Sequence, residues 1–357
     1  IIVSSIDAEI SSRRRVFTPR RRAAAMATPA LTDSLEPAAK RAKCGPAGEA
    51  DAGPSHAPAG FRPRVTSATT KGRKHANEDV TLISDDLAPS RSFYAILDGH
   101  GGRECADWVA ERLPALLREH LSGVRESAAV KEALKAAFAA CDAELLAVCA
   151  ARDWCSGTCC AGLLVDGSAS PPRCYVANVG DSRAFCVVER DGGVRAAVSL
   201  TKDHSPLDAK ERRRIEAAGG RVVDGRVGGS LGVSRSLGDA RLKKAGLIAV
   251  PDVTSFNVGT AQLAVVIGCD GVWRVFAGQQ LVDFVEDRLP KMEALRARLS
   301  QQLDGGGAAA LTREERAALA KQREAASEEG VLRELLHEAV HTRNAKDNVT
   351  VVMVRFA

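Results

Sequence analysis

From about residue 62 onward, apolar and polar positions follow two rhythms. Short dense apolar runs at 93–97, 174–179, 184–188, 263–267 and 349–354 predict strands. Apolar residues three and four apart over 104–121, 128–150, 207–218, 278–289 and 329–342 predict helices with one buried face. The strands are short, many are joined by tight turns, and the helices come in pairs between groups of strands. That order favours an α+β fold of antiparallel sheets covered by helices over a regular βαβ array.

Residues 1–61 carry no such rhythm. They are rich in Ala, Pro, Ser and Arg and read as a disordered tail, leaving 62–357 as the folded domain. The first methionine is Met26, so residues 1–25 read equally as upstream translated sequence, an artefact or the product of N-terminal processing. The basic cluster at 37–43, behind a proline, fits a nuclear import signal and equally a solvated patch. Residues 291–328 are charged, with Gly305-Gly306-Gly307 between two helix-prone stretches, and read as a surface insertion.

Composition narrows the function. Of 357 residues, 45% are hydrophobic but only 4% aromatic, so Ala, Val and Leu must fill the core. The net charge of +5 sits partly in the arginine triplets at 13–15 and 20–22, too little and too scattered for a nucleic-acid binder. No apolar run approaches the ~20 residues that span a bilayer. Ten cysteines form no CxxC pair, which fits reduced thiols in the cytosol or nucleus.

The candidate chemistry lies in four acidic sites beside glycine, asparagine or another acid: Glu78-Asp79, Asp98-Gly99, Asp270-Gly271 and Asp347-Asn348. The predicted strand 93–97 runs into Asp98, the apolar run from 263 runs into Asp270, and Asp347 leads into 349–354. Acids at strand ends sit on rigid backbone at a sheet rim, and converging carboxylates repel unless cations neutralise them. Hard oxygen ligands select magnesium or manganese. Two such ions ~4 Å apart can hold a hydroxide and clamp a phosphate for in-line attack. A glycine after the acid lets the backbone come close and frees its carbonyl. One Asp-Gly alone is more often a plain turn, so the conjunction carries the argument.

Eight segments then follow one another in a known order and spacing. They are Asn77-Glu78-Asp79, Leu97-Asp98-Gly99-His100-Gly101-Gly102, Ala177-Asn178-Val179-Gly180-Asp181-Ser182-Arg183 and Thr201-Lys202-Asp203-His204. Next come Arg214-Ile215-Glu216-Ala217-Ala218-Gly219-Gly220, Gly232-Val233-Ser234-Arg235-Ser236-Leu237-Gly238-Asp239, Cys269-Asp270-Gly271-Val272-Trp273 and Lys346-Asp347-Asn348-Val349-Thr350. From about residue 64 to 356 the chain resembles the protein phosphatase 2C family of metal-dependent serine/threonine phosphatases. Within it, Asp224-Gly225-Arg226-Val227 and the non-acidic residue after Trp273 look most like the integrin-linked-kinase-associated group and its plant relatives.

The resemblance implies two stacked antiparallel β-sheets flanked by helices, an α-β-β-α sandwich. It implies two magnesium or manganese ions at one edge, with a weaker third, and a metal-bound hydroxide that attacks phosphoserine or phosphothreonine phosphorus in line. Asp98 would bridge both ions, Gly99 would offer its carbonyl, and Asp270 and Asp347 would complete the ligands. Glu78 and Asp79 would hold metal-bound waters, and Asp181 the third ion. His100 would protonate the leaving oxygen, a role that suits an imidazole with an ordinary pKa near ~6.5. Phosphoprotein substrates are the implied partners, with no nucleic acid and no membrane, and the expectation is a monomer in the nucleus or cytoplasm.

Three departures qualify this. The family's phosphate-gripping arginine, four residues before Glu78, is Lys74 here, with Arg73 beside it, and either is a candidate. Lysine binds phosphate as a point charge, without the bidentate fork. Trp273-Arg274-Val275 stands where many members have Trp-Asp-Val, which weakens the third-ion expectation. Gly157-Thr158-Cys159-Cys160 departs from the usual Gly-(Ser/Thr)-Thr-Ala and is expected to alter packing only. Two other readings compete: a zinc protease through His337-Glu338-Ala339-Val340-His341, and a catalytically dead scaffold. The first lacks an evident third ligand, and the second sits poorly with Asp98, Asp270 and Asp347 all being present.

Overall fold

The computed structural model describes residues 61–305 and 311–356. The expected tail, apart from its last residue, and the cluster at 37–43 lie outside these residues. In chain order the elements begin with β1 (Arg64–Thr70), β2 (Val80–Ala88), β3 (Arg91–His100), α1 (Glu104–His120), α2 (Ser127–Arg152) and β4 (Gly157–Asp166). Then come β5 (Arg173–Val179), β6 (Arg183–Glu189), β7 (Arg195–Ser199), α3 (Ala209–Ala217), β8 (Val222–Val223), β9 (Arg226–Val227), β10 (Leu237–Gly238) and α4 (Ala240–Lys243). The last group is β11 (Asp252–Asn257), β12 (Gln262–Gly268), α5 (Asp270–Trp273), α6 (Gly278–Asp304), α7 (Arg313–Ala325), α8 (Glu328–His337) and β13 (Val349–Arg355).

The apolar run in β3 explains the layering. Successive side chains of a strand point to opposite faces. Phe93, Ala95 and Leu97 join one core cluster, while Tyr94 and Ile96 join another. Both faces are covered, so the run is apolar throughout instead of alternating with polar residues. The Phe93 side packs on Val109, Leu113 and Leu117 of α1 and on Leu134 and Phe138 of α2. The Tyr94 side packs on Val265 and Ile267 of β12 and Val352 of β13, in a cluster that continues to Leu281 of α6 and Leu335 of α8.

The sheet containing β3 has the order β11-β5-β4-β3-β2, with β10 added beside β4; the facing sheet has the order β1-β13-β12-β6-β7. All named pairings are antiparallel. The result is the expected α-β-β-α sandwich. Truncating a fully buried ring such as Phe93 or Phe138 to alanine removes ~3–5 kcal/mol.

Three elements differ from the sequence reading. The helix expected over 278–289 continues through Pro290 to Asp304, and Leu299 and Leu303 bury its far end. The helix expected over 329–342 stops at His337, and a π-helical turn follows over Glu338–Thr342. Strand β3 does not end before Asp98 but runs through it to His100.

Candidate metal centre

The extension of β3 sets the site. Asp98 pairs with Cys159, Gly99 with Thr158 and His100 with Gly157, so the reactive triplet is held by a sheet ladder rather than a loop. The glycines serve close approach. A Cβ on Gly99 would lie 2.5 Å from the Glu78 carbonyl oxygen, and one on Gly271 would collide with the Asn348 carbonyl. The segment before β2 thus closes on Asp98, and the turn at Asp270 closes on the turn at Asp347.

Asp98, Asp181 and Asp270 each offer a carboxylate oxygen, with all three atoms within 4.8 Å of one another. Asp79, Asp98 and the Cys269 thiol form a second such group, so Asp98 belongs to both. Burial and the neighbouring Asp79, Asp270 and Asp181 charges hold the Asp98 carboxyl well above the usual range. Burial, with Asp181 beside it, raises Asp270 to about 7. Burial likewise raises Asp79 to about 6, although the Thr350 hydroxyl donates to its Oδ2 at 2.5 Å.

Neutral donors reach Asp98: the Ser182 hydroxyl at 3.4 Å and the Asp270 backbone N–H at 3.2 Å. Oδ1 of Asp79 is buried and accepts no hydrogen bond. Crowded carboxylates with raised pKa values and an orphaned buried oxygen are what a divalent cation would relieve. An all-oxygen carboxylate set is the chemistry of hard ions. The Cys269 thiol is engaged elsewhere: it donates to the Asn348 carbonyl at 3.3 Å and accepts the Thr350 N–H at 3.1 Å.

Asp347 comes to the same rim but outside both groups. Its Oδ1 lies 3.0 Å from Lys74 Nζ, and its Oδ2 lies 3.4 Å from Arg274 Nη1. The hydrogen bond to Asp347 raises the Lys74 pKa. Arg73 turns the other way and donates to the Val340 carbonyl at 3.3 Å, so of the two basic candidates only Lys74 faces the carboxylates. Asn348 fixes this loop: its Oδ1 accepts the Glu78 N–H, and its amide donates to the Lys71 and Ala76 carbonyls, each at 2.9 Å. Glu78 in turn accepts the Gly102 N–H at 2.6 Å, tying the turn after His100 to the segment before β2.

His100 has a partner that sequence reasoning passed over. Its Nε2 lies 2.7 Å from Oδ2 of Asp239. Burial works against the imidazolium, but the Asp239 carboxylate outweighs it, and the His100 pKa rises above its ordinary value. Asp239 closes the quoted segment 232–239 and has φ 50°, a left-handed conformation that Asp tolerates better than most residues. The only sequence signal was an acid following Gly238. The ion pair of Arg274 with Asp347 was likewise missed, because the two lie 73 positions apart in the chain, whereas Asp270 is four residues away.

Other motifs resolve simply. His337 and His341 are exposed, with ring centroids 4.4 Å apart, and Glu338 is engaged by Arg343 at 3.3 Å. The π-helical turn breaks the α-helical i, i+4 geometry, and no cluster of metal-type donors includes either histidine among the described residues. His204 is buried and accepts the Gly180 N–H at Nδ1, a structural role. Nine cysteines are described, all free and all but Cys155 buried. Cys160 is core, whereas Cys159 turns its thiol to Asp181 Oδ1 at 3.5 Å, so the Gly157–Cys160 departure reaches the carboxylates as well as the packing.

Comparison with known proteins agrees with this geometry. The family profile described as Protein phosphatase 2C matches residues 64–316. The human integrin-linked kinase-associated serine/threonine phosphatase 2C is 33% identical over 307 residues, covering 81% of this chain and 71% of that protein. The Arabidopsis thaliana probable protein phosphatase 2C 22 is 36% identical over 219 residues, covering 58% of this chain and 53% of that one. Among solved structures, a serine-threonine phosphatase 2C from Toxoplasma gondii superposes with a TM-score of 0.61 at 20% identity, covering 84% of this chain and 98% of its own.

Proposed function

The chain belongs to the protein phosphatase 2C family and is a metal-dependent protein serine/threonine phosphatase, and we propose which of its residues carry the reaction. Asp98, the Gly99 carbonyl, Asp270 and Asp347 hold two magnesium or manganese ions, with Asp181 toward a weaker third. Glu78 and Asp79 hold the surrounding waters. The observation that carries this reading is the convergence of the Asp98, Asp181 and Asp270 oxygens within 4.8 Å, with Asp98 buried among like charges. When bound, such ions supply Lewis acidity toward phosphoryl oxygens and make hydroxide available near neutral pH, the needs of in-line hydrolysis.

The chain supplies the rest. His100, kept protonated to higher pH by Asp239, donates its proton to the departing seryl or threonyl oxygen. Lys74 sits at the outer rim with its ammonium group half-exposed and offers a positive charge to the substrate phosphate. A monomer in the nucleus or cytoplasm, acting on phosphoproteins, completes the proposal.

The test is hydrolysis of phosphoserine, phosphothreonine and phosphotyrosine peptides with magnesium or manganese. Asp98→Ala is expected to abolish the metal-dependent rate. His100→Ala is expected to lower kcat by about 10²–10⁴-fold, and Lys74→Ala to raise KM while Arg73→Ala leaves it unchanged. A metal-independent rate, or a preference for phosphotyrosine, overturns the proposal.

A further inference from the structure

We infer that Arg274 is a resident countercation of the metal centre: its guanidinium pairs with Asp270 and Asp347 and competes with the ions for those carboxylates. The inference rests on the metal centre proposed above. Arg274 caps the C-terminus of α5, one helical turn after Asp270. Its Nη2 pairs with Asp270 Oδ2 and its Nη1 lies 3.4 Å from Asp347 Oδ2, so one guanidinium joins carboxylates from two separate turns. Lys74 Nζ holds the remaining Asp347 oxygen at 3.0 Å.

The centre is therefore divided. At its inner end, Asp98 is met by a hydroxyl and a backbone N–H, and Asp79 by the Thr350 hydroxyl. At its outer end, Asp270 and Asp347 also meet cations of the chain. A guanidinium has only donors, and its charge repels a divalent ion at the same oxygens. Ion binding at Asp270 and Asp347 and pairing with Arg274 thus compete, and such coupling is reciprocal. The Arg274 side chain is 60% exposed, so it can swing into solvent without opening the core. Arg274 accordingly ties the two turns together and weakens ion binding at Asp270 and Asp347.

The experiment is calorimetric titration of manganese into the chelator-stripped full chain, with melting curves in chelator and in saturating manganese. The proteins compared are wild type, Arg274→Ala, Arg274→Met and Arg274→Lys. Arg274→Ala and Arg274→Met are expected to tighten the weaker manganese site about tenfold, to melt lower than wild type in chelator, and to match or exceed it in manganese. Arg274→Lys, which keeps the charge, should stay near wild type. If Arg274→Ala folds poorly, Arg274→Met retains the bulk over α5 and decides the matter. Manganese affinity that is unchanged or weaker in both charge-removing variants overturns the inference while leaving the metal centre standing. A wild-type chain that takes up no manganese overturns both.

Discussion

Nε2 of His100 lies 2.7 Å from Oδ2 of Asp239, a residue 139 positions further along the chain. The same Oδ2 accepts the Ser236 hydroxyl at 2.5 Å, and the Asp239 N–H donates to the Ser156 carbonyl at 3.1 Å. The carboxylate is thus fixed before it meets the imidazole. On the proposed general-acid role of His100, which needs the protonated imidazole, the rate falls as pH rises through its pKa. Asp239→Asn removes the charge that raises this pKa. It is expected to shift the alkaline limb of kcat to lower pH and to reduce kcat about 10–100-fold, read from a pH–rate profile beside wild type.

Gly157, paired with His100 across the β3–β4 ladder, is the floor under this pair. A Cβ there would collide with Asp239 Oδ2 and lie 2.7 Å from His100 Nε2. Gly157→Ala is expected to approach the activity loss of Asp239→Asn while retaining manganese binding by calorimetry. Full activity in Gly157→Ala would show that the His100–Asp239 contact is dispensable.

The carboxylate cluster makes the metal-free chain unstable in a pH-dependent way. Asp98, Asp79 and Asp270 all have raised pKa values in the folded state, to about 6 for Asp79 and about 7 for Asp270. A raised acid binds its proton more tightly when folded, so stability is gained as pH falls from about 7 toward the unfolded carboxylate pKa of ~3.9 and is lost as pH rises through about 6 to about 7. In chelator, melting should be higher at pH 5.5 than at pH 8, with roughly 1–2 kcal/mol regained at pH 8 by Asp98→Asn. Saturating manganese should remove the alkaline loss in wild type but not in Asp98→Asn.

Glu211 behaves in the opposite sense. It is buried, with Arg235 Nη2 at 2.6 Å and Arg214 Nη2 and the Ser234 hydroxyl each at 2.8 Å. Burial alone would raise its pKa, but these donors win and lower it to about 2. Its contribution is complete above the unfolded carboxylate pKa of ~4.3 and fades as pH falls toward about 2. Glu211→Gln leaves the buried Arg235 with Asp252 as its remaining carboxylate partner and should cost ~1–3 kcal/mol, measured by urea denaturation at pH 6, with the gap to wild type narrowing toward pH 3. Because Ser234 and Arg235 lead directly into Ser236 and Asp239, this network also holds the partner of His100.

Much of the fold was legible in the chain. Runs such as 93–97 and 263–267 are apolar because both faces of their sheets are covered, and this constraint is written into every residue of the strand. Edge strands such as β1 and β7 were not found, since half-exposed residues carry a weaker pattern. The length of α6 was missed because Pro290 reads locally as a helix stop. The acids Glu78, Asp79, Asp98, Asp270 and Asp347 were legible because each sits beside glycine, asparagine or another acid, and Asp181 through the segment that resembles the family.

The sequence by itself therefore determined antiparallel sheets covered by helices, through residue type and period, and singled out the candidate acids, while the stacking of two sheets came only with the resemblance to the family. Only the tertiary structure decided the pairings: His100 with Asp239, Lys74 rather than Arg73 facing Asp347, and Arg274 across Asp270 and Asp347. The first two join segments far apart in the chain, and Arg274 joins its near neighbour Asp270 to the distant Asp347. Charge pairing acts through space, whereas the periodicity of a sequence reports only on neighbours along it.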